Sequence, residues 1–158
     1  MPRRLSHIRF RYQRPVSFTG KAQLKEVVAL MGKNYGKAIF DLTYVFCTDE
    51  FLLDINERFL NHHDLTDIIT FNLSEDPSMV QGEIYISADR VRENADLFRV
   101  PVYEEVARVV FHGALHLCGL KDKSRKDIAQ MRDAEEMYLR KFKTRLFHVK
   151  QKRKKSFT

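Results

Sequence analysis

The sequence has few cysteines and no long hydrophobic stretch. None of its apolar runs approaches the roughly 20 residues that a membrane-spanning helix needs, and no signal-peptide pattern follows Met1. The 158 residues include only two cysteines, Cys47 and Cys118, which are too few for the disulfide framework of a secreted domain. We therefore expect a cytoplasmic protein with reduced thiols and no membrane partner.

Acidic residues are absent from both ends of the chain. Residues 1–14 contain five arginines, residues 140–158 contain nine lysines and arginines, and neither segment contains an aspartate or glutamate. Residues 15–139 hold 14 of the 28 basic residues and all 21 acidic ones, so this middle part carries −7 while the whole chain carries +7. Basic ends on an acidic domain favour contact with a polyanion such as a nucleic acid; the alternative is that they only raise solubility.

Length and hydropathy predict a single domain that contains both strands and helices. A chain of 158 residues has about the length of one ordinary domain, and a hydrophobic fraction of 44% is enough for a core. Alternating or β-branched segments indicate strands, and apolar residues at helical spacing indicate helices. The predicted strands cover residues 7–13, 39–47, 67–73 and 83–87, and the predicted helices cover residues 20–34, 49–60, 87–98, 101–118 and 124 onward.

We place residues 1–149 in this domain and interpret residues 150–158 as a basic, mobile C-terminal tail. The helix that ends near Cys118 is apolar almost all round, so we expect it at the centre of the domain. Gly119 can adopt the left-handed conformation that ends such a helix. Ser124 and Asp127 have the spacing of a capping box at the start of the last helix.

The central helix contains two histidines at a metal-ligand spacing. His112 and His116 are four residues apart, so their rings lie one turn apart on the same helix face. Asp122 follows the turn at Gly119 and is placed to supply a third ligand. Three protein ligands leave zinc one open position for water, which is the arrangement of a catalytic site. The alternatives are two core histidines hydrogen-bonded to backbone or carboxylate groups, and an iron site for oxygen chemistry.

Other features narrow the chemistry. Metalloproteases with this histidine spacing carry a glutamate directly after the first histidine as general base, and here that position is Gly113. Peptide hydrolysis is therefore disfavoured. His62 and His63 are adjacent, so their side chains point apart in an extended chain, and we interpret them as surface residues. Gly82, next to a predicted strand, indicates a bend or a close backbone approach.

Three ordered sequence blocks resemble those of the YbeY family, metal-dependent endoribonucleases of bacterial rRNA maturation and ribosome quality control. The family signature is His-Gly-x-Leu-His-Leu-x-Gly-x-Asp-His, and residues 112–122 read HGALHLCGLKD. The segment with Asn56, Phe59 and TDIITF (66–71) and the segment GEIYIS (82–87) resemble further family blocks in the same order and spacing. The resemblance covers nearly the whole domain. It implies one α+β domain with a mixed four-stranded sheet packed against helices and a central metal-binding helix.

The chain departs from the family pattern at two functional positions. Asp122 stands where the family usually has a third histidine, with Lys121 before it in place of aspartate. A carboxylate is a competent zinc ligand, but it lowers the charge of the centre from +2 to +1. Leu60 stands where the family usually has an arginine implicated in catalysis, which removes a cation that could hold a phosphate.

The resemblance implies a single-strand-specific endoribonuclease that acts in 16S rRNA 3′-end maturation and ribosome quality control. In this interpretation His112, His116 and Asp122 hold one zinc ion per chain, and the basic ends contact rRNA and the small ribosomal subunit, with no DNA partner. The sequence assigns no general base. Two alternatives stay open: a ribosome-associated assembly factor with a structural metal and little nuclease activity, which Leu60 favours, and another metal-dependent hydrolase.

Overall fold

Four strands and five helices follow one another along the described part of the chain. The computed structural model describes residues 7–60, except for the side chain of Phe40, and residues 66–156. The strands are β1 (His7–Tyr12), β2 (Ala38–Cys47), β3 (Ile68–Asn72) and β4 (Met79–Ser87). The helices are α1 (Lys21–Asn34), α2 (Asp49–Leu60), α3 (Ala88–Phe98), α4 (Val102–Leu117) and α5 (Arg125–Ser156). The predicted order is confirmed, and β4 begins at Met79, earlier than predicted.

The strands form one mixed sheet in the order β1-β2-β4-β3. β1 pairs with β2 and β2 with β4 in parallel, because helical connections return the chain to the same end of the sheet. β3 and β4 form an antiparallel hairpin at the edge. The close approach expected at Gly82 is confirmed: a Cβ built there would lie 2.5 Å from the carbonyl oxygen of Phe71 on β3.

The two faces of the sheet are covered unequally. Alternate residues of the strands, such as Tyr44 and Ile84, pack into a large core with α1, α3, α4 and α5. The opposite face carries a smaller cluster, in which Leu52 and Ile55 of α2 pack against Ile69 of β3. The layout is the α+β arrangement that the sequence predicts.

Helix α4 lies at the centre of the large core, as predicted. Ten of its 16 residues are buried. Gly113 faces the sheet, where a Cβ would lie 2.9 Å from Cδ1 of Ile84 and 3.0 Å from Cδ1 of Ile68. The helix ends as expected: Gly119 has a φ of +107°, and the amide N–H of Leu120 donates to the carbonyl of Leu115. The chain then turns back toward the start of α5.

Helix α5 begins with the predicted capping box. The Asp127 amide donates to the Ser124 hydroxyl oxygen (3.0 Å), and the Ser124 amide donates to the Asp127 carboxylate (3.3 Å). Tyr138 and Phe142 of α5 pack against Phe111 of α4. The helix continues to Ser156, so the first seven residues of the segment 150–158 form its last turns. The division between domain and mobile tail after residue 149 stays a prediction.

Three other predictions concern the adjacent histidines, the two cysteines and membrane-spanning helices. His62 and His63 lie outside the described residues. Cys47 and Cys118 are free and buried, as expected for reduced thiols. Across residues 7–60 and 66–156, no helix combines the length and the hydropathy that crossing a membrane requires.

Candidate metal centre

The structure brings His112, His116 and Asp122 together at the C-terminal end of α4. The Nε2 atoms of the two histidines are 3.0 Å apart. Oδ2 of Asp122 lies 3.2 Å from Nε2 of His116 and 3.6 Å from Nε2 of His112. Helical spacing places the two rings on one face, and the turn at Gly119 returns the aspartate to them. Together, the three residues form a group that can bind a metal ion.

The other ring nitrogen of each histidine is held by a hydrogen-bond acceptor. Nδ1 of His112 lies 2.5 Å from Oε1 of the buried Glu135 on α5, and Nδ1 of His116 lies 3.0 Å from the backbone carbonyl oxygen of Leu120. A carbonyl or carboxylate oxygen can only accept, so we assign the proton of each neutral ring to Nδ1. Both Nε2 atoms then present lone pairs to the same point. Histidine ligands of metals are oriented by such hydrogen bonds.

The geometry of the group fits a small cation. Zinc–ligand bonds of about 2.0–2.1 Å in a tetrahedral site place neighbouring ligand atoms about 3.3 Å apart. The three separations here, 3.0, 3.2 and 3.6 Å, lie on either side of that value. Two lone pairs and a carboxylate at this distance repel one another unless a cation lies between them. The donor set therefore fits a divalent metal with two imidazoles and one carboxylate as ligands.

The group opens into a groove between α4 and α5. The groove has a volume of about 300 Å³, and its walls include Arg108, Met131 and Arg132 in addition to His112, Asp122 and Glu135. The side chain of Asp122 is 44% exposed and those of His112 and His116 are 18% and 23% exposed. A metal ion in the group is thus reachable from solvent through the groove, as a site that acts on a substrate requires.

Arg108 is the basic residue of α4 beside the group, four residues before His112. It makes two hydrogen bonds to the carboxylate of Glu105, which is 1% exposed, through Nε (2.9 Å) and Nη2 (2.5 Å). These bonds raise the pKa of the Arg108 guanidinium, although burial opposes them. Oxygens of Glu135 and Asp67 lie 3.8 Å from its terminal nitrogens. Arg108 therefore stays charged at the edge of the groove.

Neither cysteine is suited to act as a nucleophile or metal ligand. Burial raises the pKa of Cys47 to about 12 and that of Cys118 to about 11. The reactive form of cysteine is the thiolate, so both side chains are inert thiols near neutral pH.

Asp122 does not take part in the cap of α5. Capping of α5 is carried out by Ser124 and Asp127, whereas Asp122 points to the histidines. Leu60, at the position of the family arginine, ends α2 and is 43% exposed. It contributes no charge to the groove.

Sequence reasoning missed the residues that surround the histidines. Arg108 carried a local signal, because its spacing of four from His112 places it on the same helix face. Glu135 carried none, since it is 23 residues from His112 and reaches it only through the packing of α5 against α4. The carbonyl of Leu120 belongs to the backbone and has no sequence signature.

Comparison with known proteins identifies the family of this chain. A family model described as endoribonuclease YbeY matches residues 8–143. The chain belongs to the endoribonuclease YbeY family. It is therefore grouped with hydrolases that act on RNA, and the resemblance predicted from the three sequence blocks is confirmed.

Individual relatives agree with this assignment. The chain is 51% identical over 111 residues to endoribonuclease YbeY of Flavobacterium psychrophilum, covering 70% of this chain and 75% of the relative. It is 44% identical over 124 residues to endoribonuclease YbeY of Cytophaga hutchinsonii, covering 77% and 87%. The solution structure of a Thermotoga maritima protein matches with a TM-score of 0.59 at 27% identity, over 90% of this chain and 93% of that one. The fold of the YbeY-family chain is thus shared with an experimentally determined structure.

Proposed function

We propose that this protein is a zinc-dependent endoribonuclease that cleaves single-stranded RNA in 16S rRNA 3′-end maturation and ribosome quality control. His112, His116 and Asp122 are its metal ligands, with one zinc ion per chain. The observation that carries the proposal is the convergence of these three side chains at an open groove in a chain of the YbeY family.

The protein's own groups prepare the site for the ion. Glu135 and the Leu120 carbonyl hold the Nδ1 protons of the two rings, which keeps both Nε2 lone pairs available. The carboxylate of Asp122 adds a negative charge, so that the centre with a divalent ion is +1. When bound, zinc supplies Lewis-acid polarisation of a phosphate oxygen and activation of water. The position of Gly113 against the sheet leaves no room for the glutamate that a metalloprotease of this spacing uses.

The basic ends support contact with a long polyanion such as rRNA. The start of α1 lies beside the C-terminal half of α5, since a Cβ at Gly20 would meet side-chain atoms of Phe142 and Leu146 within 2.9 Å. Arg145 of α5 pairs with Glu26 of α1 at 3.4 Å. The C-terminal half of α5, which carries the basic residues from 140 onward, therefore lies on the same side of the molecule as the start of α1. We assign rRNA and the small ribosomal subunit to this side as partners, and a cytoplasmic location follows from that role.

The test is a cleavage assay joined to metal analysis. Protein prepared without chelator is expected to contain about one zinc per chain and to cut single-stranded RNA in preference to the same sequence in a duplex. His116→Ala is expected to lose both the metal and the cleavage. His148→Ala, which changes an exposed histidine on α5, serves as the matched control and should retain both.

The same assay decides between the nuclease and an assembly factor. Leu60 in place of an arginine favours the second function, because the groove lacks that cation. Wild-type protein that holds zinc and binds rRNA but cuts no RNA would establish the assembly factor. Protein without any transition metal would show that the metal ligands are wrongly assigned.

A further inference from the structure

The groove at the metal centre continues along α5, away from the three metal ligands. A second cavity of about 440 Å³ adjoins the first, and the two share Arg108, Arg132 and Glu135 as walls. The second cavity ends at Phe98, the last residue of α3, and at Leu139. Arg132, Glu135 and Leu139 follow one another at helical spacing, so one stripe of α5 forms a continuous wall. A chain-like ligand bound at the metal centre can therefore extend into this second part.

Two arginines face the junction of the two cavities from different helices. Arg108 of α4 uses two of its five N–H donors for Glu105, and the nearest oxygens of Glu135 and Asp67, at 3.8 Å, are beyond hydrogen-bond length. Three donors remain for a ligand. Arg132 of α5 is exposed and forms no ion pair with any described residue. Oriented donors on one wall and a cation without an ion pair to any described residue on the other suit a phosphate group.

The far end of the groove offers an aromatic ring instead of charge. Phe98 is 54% exposed although it is a large apolar side chain. Exposed aromatic rings near arginine side chains are surfaces on which bases of single-stranded RNA can stack. Glu136, which also lines this end, can accept a hydrogen bond from an exocyclic amino group of a base.

We propose that this groove binds the nucleotide next to the cleaved bond, with its phosphate between Arg108 and Arg132 and its base on Phe98. This inference rests on the proposed function, because it places single-stranded RNA at the metal centre. It adds a binding subsite whose residues do not touch the metal ligands' Nε2 and Oδ2 atoms. In this subsite no arginine is needed at position 60 of α2, because Arg108 of α4 and Arg132 of α5 supply the positive charge.

The experiment measures equilibrium binding of a short single-stranded RNA that carries a phosphinate at the cut position, with carbon in place of both bridging oxygens, so that neither water nor a 2′-hydroxyl can cleave it. Phe98→Ala is expected to weaken binding about five- to 150-fold, the range of a lost base–aromatic stack. Arg132→Gln is expected to weaken it at low salt and to reduce the slope of log K against log salt by about 0.7. Leu97→Ala is the control for Phe98→Ala, because it shortens the exposed apolar side chain next to Phe98. Lys33→Gln is the control for Arg132→Gln, because it removes one exposed positive charge outside the groove. Arg108→Ala is avoided because it leaves the buried Glu105 unpaired.

An abasic scan of the same RNA identifies the base that stacks. One abasic position should weaken binding to the wild type and have no further effect on Phe98→Ala. Normal binding by both Phe98→Ala and Arg132→Gln, while the wild type cuts RNA, would overturn the subsite and leave the nuclease function intact. A wild type that neither binds nor cuts the RNA would overturn both. Variants that bind RNA normally but lose a protein partner would identify Phe98 as a protein contact and likewise overturn the subsite.

Discussion

At the scale of single residues, the metal group depends on two carboxylates with different tasks. Asp122 points its Oδ2 at both histidine Nε2 atoms and is partly exposed. Glu135 is buried behind His112 and accepts a hydrogen bond from its Nδ1–H. In the proposed site, Asp122 contributes a ligand and Glu135 fixes the direction of the His112 ring.

Substitution of Asp122 tests its assignment as third ligand. Asp122→Ala is expected to lose most of the zinc affinity because only two protein ligands remain, whereas Asp122→His should retain zinc because imidazole reaches the ion at a similar distance, about 2.0–2.1 Å. The measurement is zinc occupancy in competition with a chelator. Asp127→Ala is the matched control: it removes a capping bond of α5, lowers the free energy of unfolding by about 1 kcal/mol and leaves zinc occupancy unchanged. Full zinc occupancy in Asp122→Ala would show that Asp122 is not the third ligand.

At the scale of elements, two glycines let β4 pack closely against its neighbours. Gly82 brings β4 against the backbone of β3, and Gly113 brings α4 against Ile84 of the sheet. The closest neighbour is a backbone carbonyl oxygen at Gly82 and the tip of a side chain at Gly113. A backbone atom cannot move without disturbing the strand pairing, whereas an isoleucine tip can rotate.

The two alanine substitutions should therefore differ in cost. Gly82→Ala is expected to lower the free energy of unfolding by about 3 kcal/mol, and Gly113→Ala by about 1 kcal/mol, at opposite ends of the range for overpacking. Chemical denaturation measures both. Gly36→Ala is a useful comparison, because its φ of +69° is strained for alanine while open space surrounds it. A larger loss in Gly113→Ala than in Gly82→Ala would contradict the packing argument.

At the scale of the whole molecule, the basic last turns of α5 are separate from the candidate metal centre. The proposed metal ligands lie at the C-terminal end of α4. The last turn of α5 carries Arg153, Lys154 and Lys155. Residues 150–156 are exposed, so they contribute little to the core. The groove of the proposed site and the basic last turns therefore lie at different positions along α5.

Removal of residues 150–158, with their five lysines and arginines, tests the basic surface. The truncated protein is expected to bind RNA more weakly and to show a flatter plot of log K against log salt, by about 0.7 for each charge that contacts a phosphate. Its melting temperature should stay the same, because the segment buries little apolar surface. Glutamine at the same five positions in the full chain separates charge from helix length. An unchanged slope in both variants would show that these residues do not contact the RNA.

The sequence by itself determined the local features of this protein. Helical periodicity placed His112 and His116 on one face, and the spacing of Ser124 and Asp127 specified the start of α5, because both depend on backbone geometry over a few residues. Only the tertiary structure decided that Glu135 stands behind His112 and that the start of α1 lies beside Phe142 and Leu146 of α5. Contacts between residues so far apart in the chain depend on which apolar faces are buried against each other, and local periodicity does not encode that choice.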